Sequence, residues 1–328
     1  MPSLKEPCDS NWDLPGKTEV TTEVLGELEH LKLAASIAGV DVPGFILPES
    51  RHLLVGNMRF HYLDWGSAGK RPLLFLHGGG LNAHTWDLVC LSLHNDYHCL
   101  ALDLRGHGDS EWSPQGDYAI ASHVRDVEGF VDQLGLNDFV LVGMSLGAVT
   151  AAGYAADHSH KLAALVIVDA GPDVQRSGAQ KIRDFVVDTA TLDSIDQFVE
   201  RAVSFNPRRD PRLLRRSLLY NLRATPDGKW MRKNDTRHMG GRTIDNVIKD
   251  TKRQWKGVAA IRCPTLVVRG ANSDVFRDED AAKLARSLRD GRWVRVENAG
   301  HTVQGDNPAG LLAVMREFFA EIGVEAKH

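Results

Sequence analysis

The chain has 328 residues, 43% of them hydrophobic and 25% charged, with a formal net charge of −4. That length accommodates one large α/β core with an elaboration, and the mildly acidic balance excludes a surface built to follow nucleic acid. No apolar run reaches about 18 residues, and the first thirty carry Glu6, Asp9, Asp13, Glu19, Glu23, Glu27 and Glu29, so neither a membrane span nor a signal peptide is readable. Cys8, Cys90, Cys99 and Cys263 lie far apart, with Cys99 and Cys263 in or beside apolar runs, as small core residues of a reducing compartment do. A cytoplasmic protein is therefore expected. No Cys/His spacing of a zinc site occurs, and neither a metal nor another cofactor is expected.

Residues 1–50 precede the sheet-like pattern. Within them Val24, Leu28, Leu31, Ala35 and Ala38 form a narrow apolar stripe at helical spacing. It either covers the core, the plainer reading, or meets a second subunit in a homodimer. Apolar strand runs then alternate with helical patterns. Strands are expected at 73–76 and 98–102, and an amphipathic helix follows through Ile120, Val124, Val127, Val131 and Leu134, capped at Asp117 and stopped at Gly135. After the run Phe139 to Val142 comes a tight turn and a helix-favouring stretch from Ala148 to Ala156. Further strands are expected at 163–168, 265–268 and 293–296, and a last helix starts at Asn307-Pro308 and carries Leu311, Met315, Phe318 and Ile322. This alternation predicts an α/β fold with a mostly parallel, doubly wound sheet. Between Gly171-Pro172 and about Ala259 a charge-rich helical segment replaces a short crossover, and it is read as a cap over the sheet's carboxyl edge. The expected division is an N-terminal extension at 1–50, a core at 51–172 and 259–328, and a helical cap at 173–258.

The turn after Val142 reads Gly143-Met144-Ser145-Leu146-Gly147. Between a strand and a helix, such a turn exposes a serine hydroxyl in strained backbone geometry, flanked by glycines because side chains there would strike the neighbouring elements. Ser145 is the candidate nucleophile. A serine hydroxyl needs an imidazole to take its proton and a carboxylate to orient that imidazole. His301 follows the last strand and Asp274 follows the strand before it, so both emerge at the edge that presents Ser145. Asp274 is the candidate acid by its loop position, with Asp169 and Asp173 after the preceding strand, and Asp278 and Asp280 just beyond, as rivals. Glycines at 78–80 directly follow another strand and leave backbone N–H groups free to face an oxyanion. Gly79 N–H and Leu146 N–H are the candidate donors, and His77 is read as a brace for the loop.

With these elements together the chain resembles the α/β-hydrolase superfamily over residues 51–172 and 259–328. Leu102-Asp103-Leu104-Arg105-Gly106-His107-Gly108-Asp109-Ser110 is similar to the family's turn after its fourth strand. The resemblance implies structural roles for Asp103, Arg105 and Ser110 and a non-catalytic His107, and it places the cap after the sixth strand. Gly300-His301 followed by Asn307-Pro308 is similar to the family's histidine loop. A triple glycine after His77 resembles the hormone-sensitive-lipase branch, whose elbow is typically Gly-Asp-Ser-Ala-Gly, so Gly-Met-Ser-Leu-Gly places this chain with the capped Asp-Arg-Gly-His-Gly type instead. Serine rather than aspartate at the elbow argues against dehalogenase and epoxide hydrolase relatives. Hydrolysis of a small carboxylic ester or lactone is the most economical expectation. Carbon–carbon cleavage in aromatic catabolism, amide hydrolysis, peroxide chemistry and a small-molecule receptor are the family's other outcomes.

Between Asp173 and Lys256 there are 19 Lys and Arg against 11 Asp and Glu, a surplus of eight in a chain that is negative overall. Such asymmetry suits a carboxylate-bearing substrate, whereas the plainer account pairs or solvates most of Arg208, Arg209, Arg212, Arg215, Arg216 and Arg223 on helix surfaces. Gly78, Met144, Trp230 and Met231 are the candidate substrate contacts. The expected partner is a small molecule, with no nucleic acid and no membrane.

Overall fold

Short, uninterrupted apolar runs build the centre of the sheet. In the computed structural model, which describes residues 26–239 and 244–324, the strands are β1 (Glu49–Val55), β2 (Met58–Asp64), β3 (Pro72–Leu76), β4 (His98–Leu102), β5 (Phe139–Met144) and β6 (Leu162–Val168). Then come β7 (Thr191–Leu192), β8 (Leu222–Ala224), β9 (Trp230–Arg232), β10 (Thr265–Gly270) and β11 (Gly291–Val296). Eight of them form one sheet in the order β1-β2-β4-β3-β5-β6-β10-β11. Only β2 runs antiparallel, against both β1 and β4; the remaining pairs are parallel.

Successive residues of these strands face opposite sides, and both sides are covered. Leu73, Phe75, Val140 and Val142 join one apolar cluster, while Leu74, Leu76, Phe139 and Leu141 join another. Helices α1 (Glu27–Ile37), α2 (Asp87–Leu93), α3 (Ile120–Gln133) and α4 (Leu146–His158) belong to the core, with α1 and α2 on the first cluster and α3 and α4 on the second. Leu31, Ala34 and Ala35 of α1 are buried, and Leu31 and Ala38 pack in the first cluster, so the described part of the amino-terminal stripe lies on the core; Val24 lies outside the described residues. Helix α3 starts at Ile120 rather than beside Asp117. The Asp117 carboxylate accepts from Ala119 N–H at 3.1 Å and Ser122 O–H at 2.6 Å, holding the entry to the helix from three positions before it.

Between β6 and β10 the chain forms α5 (Arg176–Asp188), α6 (Ile195–Phe205), α7 (Pro211–Asn221) and α8 (Ile244–Ala260), after which α9 (Asp278–Ser287), α10 (Val303–Asp306) and α11 (Pro308–Glu321) complete the core. The insertion is not purely helical. Strands β7, β9 and β8 form a small antiparallel sheet, each too short to carry a readable period. It has an apolar cluster of its own, built on Phe198, Val199, Leu214 and Leu218, with Phe185 and Trp230 packed against it. Helix α11 starts as expected: Pro308 sits in its first turn and Asn307 accepts from Gly310 N–H at 2.8 Å.

Candidate active site

β5 ends at Met144 and α4 begins at Leu146, leaving Ser145 between them with φ 52° and ψ −114°. Few non-glycine residues adopt that region, and its cost is borne here by the packed elements on both sides. A Cβ on Gly143 would lie 2.3 Å from Gly147 O, and one on Gly147 would lie 2.3 Å from Leu76 O, so both glycines are required by backbone contact. Ser145 N–H donates to Val168 O at 3.1 Å, which ties the turn to β6.

The residue after Val168 is Asp169, fully buried and with φ 50°. Its N–H donates to Val268 O at 2.7 Å, continuing the pairing of β6 with β10. Its carboxylate takes three donors: Gly270 N–H on Oδ1 at 2.9 Å, and Ser273 O–H at 2.5 Å and His301 Nδ1–H at 2.8 Å on Oδ2. His301 sits on a loop braced by Gly300 N–H to Asp306 at 2.9 Å and by Asn272 N–H to Ala299 O at 2.8 Å.

The expectation that Asp274 orients the histidine is therefore corrected. Its side chain is 55% exposed and forms an ion pair with Lys181 at 3.0 Å, while the histidine's carboxylate is Asp169. The physical reason is local: Ser273, one residue earlier, turns inward onto Asp169, which leaves Asp274 turned outward toward α5. Among the other rivals, Asp173 pairs with Lys283, Asp278 with Arg269 and Arg295, and Asp280 with Arg277.

Ser145, Asp169 and His301 line one cavity of about 1130 Å³ under the inserted segment. Gly79 and Leu146 line it too, as do Gly78 and Met144, whereas Trp230 and Met231, expected as substrate contacts, lie outside its lining. Trp230 packs instead into the insertion's own cluster. The glycine loop is closely fitted: a Cβ on Gly78 would meet the Met144 sulfur at 2.5 Å, and one on Gly80, at φ +76°, would meet Val186 of α5 at 3.0 Å. His77 is buried and braces this loop, accepting from Leu104 N–H at 3.0 Å and donating from Nδ1 to Gly78 O at 2.8 Å.

The turn after β4 is structural. Asp103 accepts from Ala83 N–H at 2.6 Å and pairs with His61 at 2.7 Å. Burial alone would raise its carboxyl, but the His61 contact holds it below the usual value. Arg105 binds Asp126 through two nitrogens, with Nη2 at 2.6 Å. His61, Asp103 and Asp109 bring potential metal donors within 4.8 Å of one another. Those donors are already used, since Asp109 is held by Lys233 Nζ at 2.8 and 2.9 Å, and the group lies outside the cavity lining.

The family described as alpha/beta hydrolase fold matches residues 71–308. The chain belongs to the α/β-hydrolase fold family. Within that family it is 33% identical to "Esterase Rv0045c" of Mycobacterium tuberculosis over 299 residues, covering 89% of this chain and 95% of that protein. A crystal structure of that esterase superposes with a TM-score of 0.73 over 90% of this chain and 98% of the other. A "3-hydroxybutyrate-oligomer hydrolase" of Cupriavidus necator is 26% identical over 80% of this chain and 94% of its own length. Among the described residues of this chain no helix is long and apolar enough to cross a membrane.

Proposed function

We propose that the protein hydrolyses small carboxylic esters, lactones included, through an acyl-enzyme on Ser145. The observation that carries this reading is the 2.8 Å contact of His301 Nδ1 with Asp169 Oδ2, beside the strained Ser145 in one cavity. Accepting from Nδ1–H, Asp169 keeps the Nε2 lone pair of His301 available to the Ser145 hydroxyl. As Oγ bonds to the ester carbon, its proton passes to Nε2, and the N–H groups of Gly79 and Leu146 stabilise the oxyanion. The alcohol leaves with that proton. Water then attacks the acyl-enzyme by the same route, returns Ser145 and releases the acid. Relatives named esterase and 3-hydroxybutyrate-oligomer hydrolase support the ester as the bond cleaved. A cytoplasmic setting belongs to the same proposal and is supported by buried free thiols at Cys90, Cys99 and Cys263.

A fluorophosphonate probe tests the assignment. It should label the protein once, at Ser145, and Ser145→Ala should abolish both labelling and turnover of p-nitrophenyl esters with the thermal midpoint unchanged. Stoichiometric labelling of the Ser145→Ala protein would overturn it.

A further inference from the structure

Several arginines of the inserted segment are already paired: Arg212 with Asp210, Arg215 with Asp196, and the buried Arg216 with Asp87 at 2.6 Å. Arg232, at the end of β9, is different. It is 4% exposed, lines the Ser145 cavity, and has no carboxylate in ion-pair reach among the described residues. Its Nε and Nη2 donate to Thr189, at 3.0 Å to the carbonyl and at 3.0 and 2.8 Å to the hydroxyl. Nη1 has no partner among the described residues. The guanidinium carbon stands 5.2 Å from the Phe185 ring centroid and 5.6 Å from that of Phe198, so aromatic faces hold the cation in place without neutralising it. Burial pulls its pKa down to about 10, still well above neutral, so the charge is retained.

A second cation, Arg209, lines the same cavity. Its Nε is sealed from solvent with no hydrogen-bond partner, and its guanidinium lies against the histidine loop, where a Cβ on Gly305 would come within 2.6 Å of Nη1. The anions around this space are engaged: Asp169 by His301, Asp274 by Lys181, Asp184 by Gln180, and Asp306, the carboxylate that acts on Arg209 from the histidine loop, by Gly300 N–H, Asn206 and Thr302. A buried, unpaired charge is costly, and proteins keep one where a ligand completes it. The position suits the chemistry as well. Val186, which faces Gly80 of the oxyanion loop, and Phe185, which carries the Arg232 guanidinium, are neighbours on α5.

We propose that Arg232, with Arg209 in the same cavity, forms a carboxylate-binding subsite, so that the substrate is an ester carrying a free carboxylate, such as a monoester of a dicarboxylic acid. This rests on the hydrolase reading for its catalytic half only; binding of the carboxylate does not require Ser145 to react.

Two measurements separate the parts. In the first, specificity constants are compared for mono(4-nitrophenyl) glutarate and its neutral methyl diester. The wild-type protein should prefer the acid by roughly ten- to hundredfold, the range a charge-assisted hydrogen bond supplies. Arg232→Met, which keeps the length packed between the two phenylalanines, should remove that preference, with the loss falling on the acid rather than on the diester. Equal constants for acid and diester in the wild type, or parallel losses on both substrates in Arg232→Met, would overturn the subsite. In the second, Ser145→Ala protein is titrated with glutarate and its thermal midpoint followed. Stabilisation that disappears in Ser145→Ala/Arg232→Met supports the subsite even if the hydrolase reading fails, and no shift at saturating glutarate refutes it even if ester turnover is confirmed.

Discussion

Replacing Asp169 by asparagine should nearly extinguish turnover, and the hydrogen bonds of the site show why. The carboxylate presents Oδ1 to the N–H of Gly270 and Oδ2 to both Ser273 O–H and His301 Nδ1–H. An amide at 169 has one oxygen. If that oxygen keeps Gly270, the NH₂ faces Nδ1, and the imidazole must carry its proton on Nε2, where it cannot accept from Ser145. If the amide flips, its NH₂ opposes the N–H of Gly270 in a fully buried position, leaving both donors unsatisfied at a cost of about 1–3 kcal/mol. Loss of the productive tautomer lowers turnover on the order of 10⁴-fold in the serine protease where this substitution is the standard example, equivalent to about 5 kcal/mol of barrier. Asp274→Asn removes only a half-exposed ion pair with Lys181, an interaction of the class worth about 0–1 kcal/mol. The assay is kcat on a p-nitrophenyl ester, with urea unfolding in parallel. Asp169→Asn should lose about three to four decades while remaining folded, and Asp274→Asn should stay within about twofold. The assignment of the acid fails if Asp274→Asn is the more damaging at unchanged stability.

Three further outcomes follow from packing and charge. Burial alone would raise the Asp87 carboxyl, but His84 and Arg216 hold it below its ordinary value, so its stabilising contribution is present at neutral pH and is lost as pH falls through the lowered folded-state value. Asp87→Asn should therefore cost about 3–5 kcal/mol at pH 7, by stranding the buried Arg216, and urea unfolding at a series of pH values should show the gap to wild type narrowing below about pH 4. Gly147→Ala should abolish fluorophosphonate labelling, because its Cβ would lie 2.3 Å from Leu76 O, whereas Gly257→Ala in α8, with only the Ala156 Cβ at 3.6 Å, should raise stability by up to about 1 kcal/mol in thermal unfolding.

The sheet was legible where burial on both faces forces a continuous apolar run. Leu73 to Leu76 and Phe139 to Val142 are examples, and the nucleophile turn follows from the second of them. Hairpin β1–β2 carried no such signal: Glu49–Val55 is mostly exposed and Met58–Asp64 includes Arg59, His61 and Asp64, so neither reads as a buried strand. Trp230 and Met231 illustrate a second limit. Aromatic and sulfur side chains in a cap are equally suited to its core and to a ligand wall, and only the fold of β9 shows that Arg232, two residues beyond Trp230, lines the cavity. The cap's surplus of positive charge was visible in composition, but which of its arginines stay unpaired depends on which carboxylates lie in reach, which is a property of the fold.

The acid's position shows how one residue of loop phase decides a catalytic assignment. Strands β6 and β10 are parallel neighbours, with Val168 opposite Val268, and both release their loops at the edge where His301 stands. A carboxylate on either loop can therefore reach the same imidazole nitrogen, and chain order alone does not choose between them. What decides is which side chain points inward. On the loop after β10 the inward residue is Ser273, whose hydroxyl donates to the very oxygen that holds His301 and whose Oγ accepts from Val275 N–H at 3.2 Å. Asp274, the next residue, is consequently directed at Lys181 on α5. Just past β6 the inward residue is Asp169, kept there by a positive φ that a β-branched side chain would resist and by the amide of Gly270 on its other oxygen. The β10 loop thus still serves the histidine, through a hydroxyl and a backbone N–H that fix the carboxylate rather than through a carboxylate of its own.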